Sequence, residues 1–347
     1  MPRCLFLCVR ILPLLLIFCL PCHQALAKDA QKLRVTLLLE HDGPSTYTRL
    51  LKSGLERASR DFGLRPSVVI EGDEDKQEAV FQREAAKADL ILIASDRFHE
   101  ILRDNARRFP NVYFGCIDAG IRGANITCIT FADEQAAFLA GAAAALFTKN
   151  FTQKKVSSEH EQTIAWLSGE DIPAMRSMFN GFREGALLSV PGIRVIHGVA
   201  GSFAAPEAAA VECRRLIKEG ATLLVLAAGA GNEAALKEAK ASGIDVIGLD
   251  CDQKDSYPGH VLLSILKDID GAVYSIIKDT VHMAFKGKEI ETYDLTHGVG
   301  ITDPRKSLGR NQGLDTLARR LTELTHELIT GGITLKSLRQ RTLCNCL

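Results

Sequence analysis

Four residues of types that bind small molecules follow apolar runs, at the points where predicted strands end. Asp118 ends VYFGCID, Asp250 ends DVIGLD, Lys267 ends HVLLSILK, and Phe203 comes just after IRVIHGVAGS. A carboxylate can accept two hydroxyl hydrogen bonds, a lysine can donate to sugar oxygens, and an aromatic face can stack on a flat ring. An Asp in such a position also commonly caps the next helix. Together the four residues favour a cleft that binds a small molecule.

A glycine-rich turn lies among these strand ends. The run AAGAGN over 227–232 follows the strand TLLVL and opens a helix. Backbone amides around Gly229 can face a ligand there, and such glycines can equally serve only to join a strand to a helix. Both interpretations stay open at this point, with Gly229 as a candidate ligand-binding residue.

Motifs of catalysis and of cofactor or metal binding are missing from the sequence. It contains no GxGxxG after the first strand, no GxxxxGK[ST], no HExxH and no GxSxG. One enzymatic alternative is a nucleoside hydrolase that uses the carboxylates of Asp250 and Asp252, but no positioned base or metal set accompanies them. We therefore expect a binding protein without catalytic residues, metal or cofactor.

The charge balance narrows the choice of partners. The chain has 42 basic and 42 acidic residues. A nucleic-acid-binding protein usually carries a basic surface, and a protein that binds anionic lipid carries a polybasic stripe. The composition gives neither, so we expect a small-molecule ligand and no nucleic acid. We also expect a monomer.

The N-terminus is typical of an exported protein. Arg3 and Arg10 precede the apolar run ILPLLLIFCL, which is too short to span a bilayer comfortably. An Ala-x-Ala cleavage site follows and ends at Ala27. Cys19 and Cys22 raise the alternative of a lipoprotein signal, but Phe18 and Pro21 precede them where small residues are required. We expect a periplasmic or other extracytoplasmic protein, exported without a lipid anchor.

Six cysteines remain after this segment. Four of them, Cys116, Cys128, Cys213 and Cys251, lie in or beside apolar runs, which predicts buried free thiols. The other two form the C-terminal tripeptide Cys344-Asn-Cys346, which we interpret as part of a frayed tail rather than a metal site.

Apolar runs of strand length alternate with helical patterns along the chain. LRVTLLL, PSVVI, ADLILIAS and VYFGCID are separated by amphipathic runs such as TRLLKSGLERASRDFG. The strands are nearly all apolar, as in parallel sheets covered on both faces. A second series of the same kind starts at TIAWLSG. The polar segment KNFTQKKVSSEHEQ, over 149–162, predicts the crossover between the two series, and the small residues of EQAAFLAGAAAALFTKN predict a closely packed helix before it.

Two such series predict an α/β protein with two lobes, each a parallel sheet flanked by helices. Ligands are expected in the cleft at the carboxyl ends of the strands. We expect a signal peptide over 1–27, lobe one over 32–150 plus 256–288, and lobe two over 151–255 plus 289–347. The last range includes the amphipathic helix LDTLARRLTELTHELI.

Short motifs in a fixed order give the chain a family resemblance over roughly residues 32 to 303. It resembles the basic membrane protein family of ABC-transporter solute-binding proteins, which includes the purine-nucleoside-binding lipoproteins. The motifs are Ile117-Asp118, Asn125-Ile126, Thr130-Phe131, Glu134-x-x-x-Phe138-Leu139-Ala140-Gly141, Asp171-Ile172-Pro173, Gly181-Phe182-x-x-Gly185, Gly201-Ser202-Phe203, Ala227-Ala228-Gly229-x-Gly231-Asn232, Gly248-x-Asp250-x-Asp252-Gln253, Lys267 and Gly298-Val299-Gly300.

The resemblance implies a type I periplasmic binding protein fold and roles for individual residues. In that family two aromatic rings sandwich the base, and an acidic residue and a lysine hold the ribose. By motif, Phe203 corresponds to one ring, Asp250 to the carboxylate and Lys267 to the cation, with Asp118 as a further cleft carboxylate. The family's first loop, Asn-Asp-Lys-Ser-Phe-Asn, is replaced here by the sequence GPSTYT over 43–48, in which Tyr47 keeps the aromatic role.

The loss of the amide and the carboxylate from this loop affects ligand choice, because buried polar partners discriminate strongly between ligands. The resemblance implies a purine nucleoside as the ligand and an ABC permease as the partner. A flavin or a free base is the alternative ligand. A sensor that reports ligand occupancy to a membrane signalling protein is the alternative function.

Overall fold

The computed structural model describes residues 33–151, 162–309 and 311–335. These residues form two lobes, each built on a six-stranded sheet. The signal peptide predicted over 1–27 and the Cys344-Asn-Cys346 tail lie outside the described residues. The predicted crossover over 149–162 lies largely outside them.

Lobe one is built on a sheet in which every strand pair is parallel. Its strands are almost entirely buried in the centre of the sheet, as the continuous apolar runs predict. The order across the sheet is β11-β5-β4-β3-β1-β2. The bounds are β1 Val35–Leu39, β2 Ser67–Ile70, β3 Leu90–Ile93, β4 Tyr113–Ile117, β5 Ile126–Phe131 and β11 Ile290–Tyr293.

Helices cover both faces of this sheet. They are α1 Thr46–Phe62, α2 Glu74–Ala85, α3 Asp96–Asn105 and α8 Ile269–Val281. Alternate strand residues point to opposite faces, so Leu37 packs in the cluster that contains α1 and α8, and Leu38 packs in the cluster that contains α2 and α3. The side chain of Ser45 caps α1 by accepting a hydrogen bond from the Thr48 amide at 3.1 Å.

Lobe two repeats the plan with one antiparallel edge strand. The order is β12-β10-β9-β8-β6-β7, and only β12 runs against its neighbour among these paired strands. The strands are β6 Thr163–Ser168, β7 Arg194–Val199, β8 Ala221–Ala227, β9 Asp245–Gly248, β10 Val261–Lys267 and β12 Val299–Ile301. The helices are α4 Asp133–Phe151, α5 Pro173–Ser189, α6 Pro206–Lys218, α7 Asn232–Ala241, α9 Pro304–Leu308 and α10 Gln312–Ile329.

Helices α4 and α5 pack with their backbones almost in contact, as the small residues of α4 predict. A Cβ atom added to Gly141 would overlap the backbone of Phe182, and one added to Gly185 would overlap the carbonyl oxygen of Phe138. The C-terminal helix α10 packs against α4 through an apolar face that includes Leu317 and Leu324. Lobe two therefore has a core in which three helices are locked together.

The structure corrects the expected boundaries between the lobes. Helix α4 was assigned to lobe one but packs on α5 in lobe two, so the chain first crosses at Ala132 and not within 149–162. Strand β10 was also assigned to lobe one and pairs with β9 in lobe two, whereas β11, expected in lobe two, pairs with β5 in lobe one. The reason is that the sequence of a short strand does not specify which sheet it joins, because sheet membership depends on neighbours distant in the chain.

Gly185→Ala is expected to destabilise the protein by about 2 kcal/mol or more, because overpacking a tight contact usually costs ~1–3 kcal/mol. Gly300→Ala is the matched control, since a Cβ atom there would meet no other heavy atom within 4 Å. Urea unfolding of both variants measures the difference. Equal free energies of unfolding for the two variants would contradict the close packing of α4 on α5.

Candidate ligand-binding site

A cavity of about 400 Å³ lies between the lobes. It is formed at the carboxyl ends of the strands of both sheets, where ligands bind in open α/β folds. All six candidate residues predicted from the sequence line its wall: Tyr47, Asp118, Phe203, Gly229, Asp250 and Lys267. The volume lies in the range of small-molecule sites, about 300–1,000 Å³.

At one end of the cavity, the ammonium group of Lys267 bridges two carboxylates. Its Nζ atom lies 2.7 Å from Asp118 Oδ1 and 2.7 Å from Asp133 Oδ2. The ring of Phe131 adds a cation–π contact, with 4.5 Å between Nζ and the ring centroid. Lys267 ends β10 in lobe two and Asp118 follows β4 in lobe one, so this ion pair joins the two lobes.

Burial shapes the protonation of this cluster. Burial lowers the pKa of Lys267, but the two neighbouring carboxylates raise it by more, so it lies above its usual value. For Asp133, burial raises the pKa to about 6 despite the attraction of Lys267, and Asp118 adds to the increase. The Oδ1 atom of Asp133 is buried and finds no hydrogen-bond partner within the described ranges.

The two strand-end aspartates share an unusual backbone conformation. Asp118 has φ +69° and Asp250 has φ +75°, both in the left-handed region. Non-glycine residues rarely adopt this conformation, although Asp tolerates it better than most, and such strain concentrates at functional sites. Each aspartate follows the strand of its own lobe that borders the cavity, so the lobes present equivalent carboxylates to the same space.

Asp250 stands apart from the ion pairs. Its carboxyl group receives no hydrogen bond from the part of the chain that the structure describes, although its backbone oxygen accepts one from the Lys267 amide at 3.0 Å. Burial raises its pKa to about 7, and the attraction of Lys267 does not cancel this effect. A carboxyl group in this condition is available to accept hydrogen bonds from a ligand.

Tyr47 lies in the first turn of α1 and faces the ion-pair cluster. Its hydroxyl donates to Asp118 Oδ2 at 2.9 Å and lies 3.3 Å from the carbonyl oxygen of Ala94. Burial and the adjacent Asp118 raise its pKa well above the usual value, so the phenol stays protonated. The hydroxyl fixes the ring, whose apolar face is then held in the cavity wall.

Phe203 lies on the opposite side, in the loop after β7. Its amide donates to Glu170 Oε1 at 3.2 Å, and its carbonyl oxygen accepts from Ala230 at 2.9 Å. Gly229 has φ +59°, and a Cβ atom there would lie 2.9 Å from the Phe203 carbonyl oxygen. Gly169 likewise leaves space for the Phe203 ring. Gly229 therefore helps to position Phe203, and it also lines the cavity.

Sequence reasoning missed other residues of the cavity wall, above all Asp133 and Glu170. The rule that selected Asp118 applies to Asp133 as well, because it follows the apolar end of β5, but an acid in the first turn of a helix looks ordinary. Asp252 of the hydrolase alternative does not line the cavity; its carboxylate pairs with Lys254 at 2.6 Å.

The two lobes also approach each other away from the Lys267 ion pairs. The guanidinium of Arg49 in lobe one lies 3.5 Å from the Cys251 sulfur in lobe two. A Cβ atom on Gly43 would lie 3.6 Å from the Cβ atom of Ala230. Cys251 is half-buried, unlike the fully buried thiols of Cys116, Cys128 and Cys213. The lobes are therefore close to each other at Arg49 and at Gly43 as well as at the Lys267 ion pairs.

Two largely parallel sheets, joined by several crossings around a cavity at their strand ends, form the type I periplasmic binding protein fold. Residues 41–328 match the family model described as ABC transporter substrate-binding protein PnrA-like. The chain belongs to this Bmp family of substrate-binding proteins. It is thus the extracytoplasmic solute-binding component of an ABC importer, as its sequence motifs indicate.

Named relatives agree with this assignment. Basic membrane protein C of Borreliella burgdorferi (strain N40) is 28% identical over 275 residues, which cover 73% of this chain and 74% of that protein. ABC transporter nucleoside-binding protein BmpA of Lactococcus lactis subsp. cremoris is 28% identical over 252 residues, covering 67% and 66%. A solute-binding protein of an Aeropyrum pernix K1 ABC transporter system has the same fold, with TM-score 0.77, 23% identity and coverage of 87% and 92%.

Two further findings concern the described residues as a whole. None of their helices is both long and apolar enough to cross a membrane. Nor do they contain a group of three or more His, Cys, Asp or Glu side chains that could hold a metal ion.

Asp250→Asn is expected to change how stability depends on pH in the empty protein. The folded pKa of Asp250, about 7, exceeds the ordinary value of an unfolded chain, about 4, so the folded state binds the proton more tightly. The stabilisation that this bound proton gives to the folded state is complete below about pH 4 and is lost as the pH rises through about 7. Between these limits the wild type should lose about 3 kcal/mol more stability than the variant, because one pKa unit corresponds to about 1.4 kcal/mol, and urea unfolding at a series of pH values measures this difference. Parallel curves would contradict the raised pKa.

Proposed function

We propose that this protein captures a purine nucleoside between its lobes and delivers it to an ABC permease, without chemical change. The observation that carries this proposal is the carboxyl group of Asp250, which lines the cavity between the lobes without a hydrogen-bond partner in the described chain. A pair of ribose hydroxyls supplies the two donors that such a carboxylate accepts. The name of the Lactococcus lactis relative, a nucleoside-binding protein, supports the same ligand class.

The base is assigned to the space between Tyr47 and Phe203. The two rings line the same cavity from opposite lobes, and each is held by hydrogen bonds of its own residue. Stacking of a base on an aromatic side chain contributes about 1–3 kcal/mol and does not depend on base identity. This arrangement requires both lobes for full affinity, so binding favours closure.

Lys267 has a limited capacity for direct contact with the sugar. An ammonium group has three N–H donors, and Asp118 and Asp133 each take at least one. One donor at most remains for a ribose oxygen. Lys267 therefore acts mainly by holding Asp118 and Asp133 in place, and Asp250 contributes the principal polar contact to the sugar.

We also propose that the protein is exported with cleavage after Ala27, that it has no lipid anchor and that it is a monomer. Delivery to a permease, as opposed to signalling through a membrane sensor, predicts that deletion of the gene abolishes uptake of the ligand. Retained uptake with loss of a transcriptional or chemotactic response would favour the sensor.

A thermal-shift screen of the chain from Lys28 tests the ligand class. Guanosine, inosine or adenosine is expected to raise the melting temperature, because a ligand bound only by the native state stabilises it. Riboflavin, free bases and sugars are the comparison set. A response to one of these alone would replace the nucleoside by that class.

Phe203→Ala is expected to weaken nucleoside binding by about 5- to 150-fold, the equivalent of 1–3 kcal/mol of stacking. Isothermal titration calorimetry measures the affinity. Phe62→Ala is the matched control, because Phe62 packs against Tyr274 outside the cavity wall. Tyr47→Phe separates stacking from the hydroxyl contact to Asp118. If Phe203→Ala bound as tightly as the control, the stacking role would be wrong.

Closure of the lobes is expected to protect Cys251 from thiol reagents. In the closed form its sulfur lies 3.5 Å from Arg49 of the other lobe, so opening exposes it. In a background with Cys344→Ser and Cys346→Ser, a saturating nucleoside should slow modification of Cys251 several-fold, because ligand shifts the population toward the closed form. Mass spectrometry of the tryptic peptide follows the rate. An unchanged rate at saturation would argue against ligand-driven closure.

A further inference from the structure

Two cysteines lie side by side in the sheet of lobe one. Cys116 in β4 is the direct partner of Cys128 in the neighbouring parallel strand β5. Neighbouring strands are about 4.8 Å apart, and the Cα atoms of a disulfide are usually about 4.4–6.8 Å apart. Residues paired in this way point to the same face of the sheet, and both side chains pack in the cluster that contains Phe114. A disulfide can therefore form between them without a change of strand register.

The two thiols are free in the structure and contact each other. A hydrogen bond from the Cys116 thiol to the Cys128 sulfur raises the pKa of Cys116 well above its usual value, and burial adds to the increase. The same hydrogen bond lowers the pKa of Cys128, although burial opposes this effect. The Ile121 amide also donates to Cys128 Sγ, at 3.3 Å. Cys128 is therefore the member of the pair that loses its proton more readily, and the thiolate is the nucleophilic form of cysteine.

The other cysteines of the described residues lie in lobe two. Cys213 in α6 is buried, and its thiol donates to the carbonyl oxygen of Ala235 at 3.3 Å. Cys251 follows β9 and lies beside Arg49. Cys116 and Cys128 are therefore the pair that is available for a bond within the described part of lobe one.

The location of the protein allows this pair to be oxidised. Disulfides form and persist in oxidising compartments outside the cytoplasm, and the chain is extracytoplasmic. Both thiols are fully buried, so the bond has to form during folding, while β4 and β5 come together.

The oxidant is a disulfide of another molecule, such as a thiol–disulfide oxidoreductase or glutathione disulfide. The Cys128 thiolate attacks one sulfur of that disulfide, forms a mixed disulfide and expels a thiolate. Cys116 then loses its proton, attacks the Cys128 sulfur and expels the second thiolate. Two cysteine thiols are thus oxidised, and the partner disulfide is reduced to two thiols that take up the two protons.

We propose that Cys116 and Cys128 form a disulfide in the exported protein and that this bond braces the loop that carries Asp118. Asp118 lies two residues after Cys116, inside the ring that the bond closes over 116–128. Its carboxylate pairs with Lys267 of lobe two. Near the other end of the loop, the Asn125 side chain donates to the Val112 carbonyl oxygen at 2.7 Å. The bond restricts the unfolded chain and holds both ends of the loop, whatever the ligand is.

Mass spectrometry of the exported protein tests for the bond, in the background with Cys344→Ser and Cys346→Ser. The protein is purified without reductant and unfolded in the presence of iodoacetamide, which modifies only free thiols. The mature chain of this variant has four cysteines. Two of them, Cys213 and Cys251, are expected to be modified before reduction, and all four after it.

Trypsin separates the paired cysteines by cleavage after Arg122, into peptides 109–122 and 123–149. These peptides are expected as one linked species before reduction and as two species after it. Cys213→Ser is the matched control, because it replaces a buried cysteine of lobe two and should leave the link intact. Modification of all four cysteines before reduction, or a link from either peptide to a different cysteine, would overturn the inference.

Urea unfolding of the same variant, with and without dithiothreitol, tests whether the bond braces the loop. Reduction is expected to lower the equilibrium constant for folding by roughly a hundredfold, as for a disulfide that closes a short loop. A further variant with Cys116→Ser and Cys128→Ser cannot form the bond, so its unfolding should not respond to dithiothreitol. Identical unfolding of the oxidised and reduced protein would overturn the bracing role.

Discussion

A buried ammonium group requires carboxylates around it, and this requirement organises the centre of the molecule. Lys267 comes from lobe two, Asp118 from lobe one, and Asp133 from the point where the chain first crosses between them, with both ion pairs at 2.7 Å. Removing one partner of such a buried cluster leaves an uncompensated charge, which is far more costly than the cluster is stabilising. The strand ends, the crossing and the cavity wall are therefore held to one another by the same few atoms.

The remaining polar groups of the cavity are left incomplete, and this gives the empty protein a reason to bind. The carboxyl group of Asp250 has no donor in the described chain and sits on strained backbone, and the Oδ1 atom of Asp133 is buried without a partner there. Each of these states costs free energy in the absence of a ligand, which a ligand with matching groups recovers. In the proposed function, affinity thus comes in part from these incomplete groups of the unliganded site, while the aromatic faces of Tyr47 and Phe203 add stacking that does not depend on base identity.

The sequence predicted the strands, the helices and two lobes, because alternating apolar runs and amphipathic runs are local patterns. It also selected six residues that prove to share one cavity wall, since the carboxyl ends of parallel strands meet at one edge. It did not assign β10 and β11 to the correct lobes, because sheet membership depends on neighbours distant in the chain. Asp133 was missed for a related reason: it looks like an ordinary residue at a helix start, and only the surroundings show otherwise.

The chain passes between the lobes three times, at Ala132, after Lys267 and between β11 and β12. Three connections between the same two lobes restrict twisting and sliding more than opening and closing about a hinge. The cavity therefore has, to a first approximation, one mechanical degree of freedom, its opening angle. A thicker ligand is accommodated by a wider angle, whereas the lateral offset between Asp118 and Asp250 stays fixed. Selectivity is accordingly stricter along the plane of the ligand ring than across its thickness.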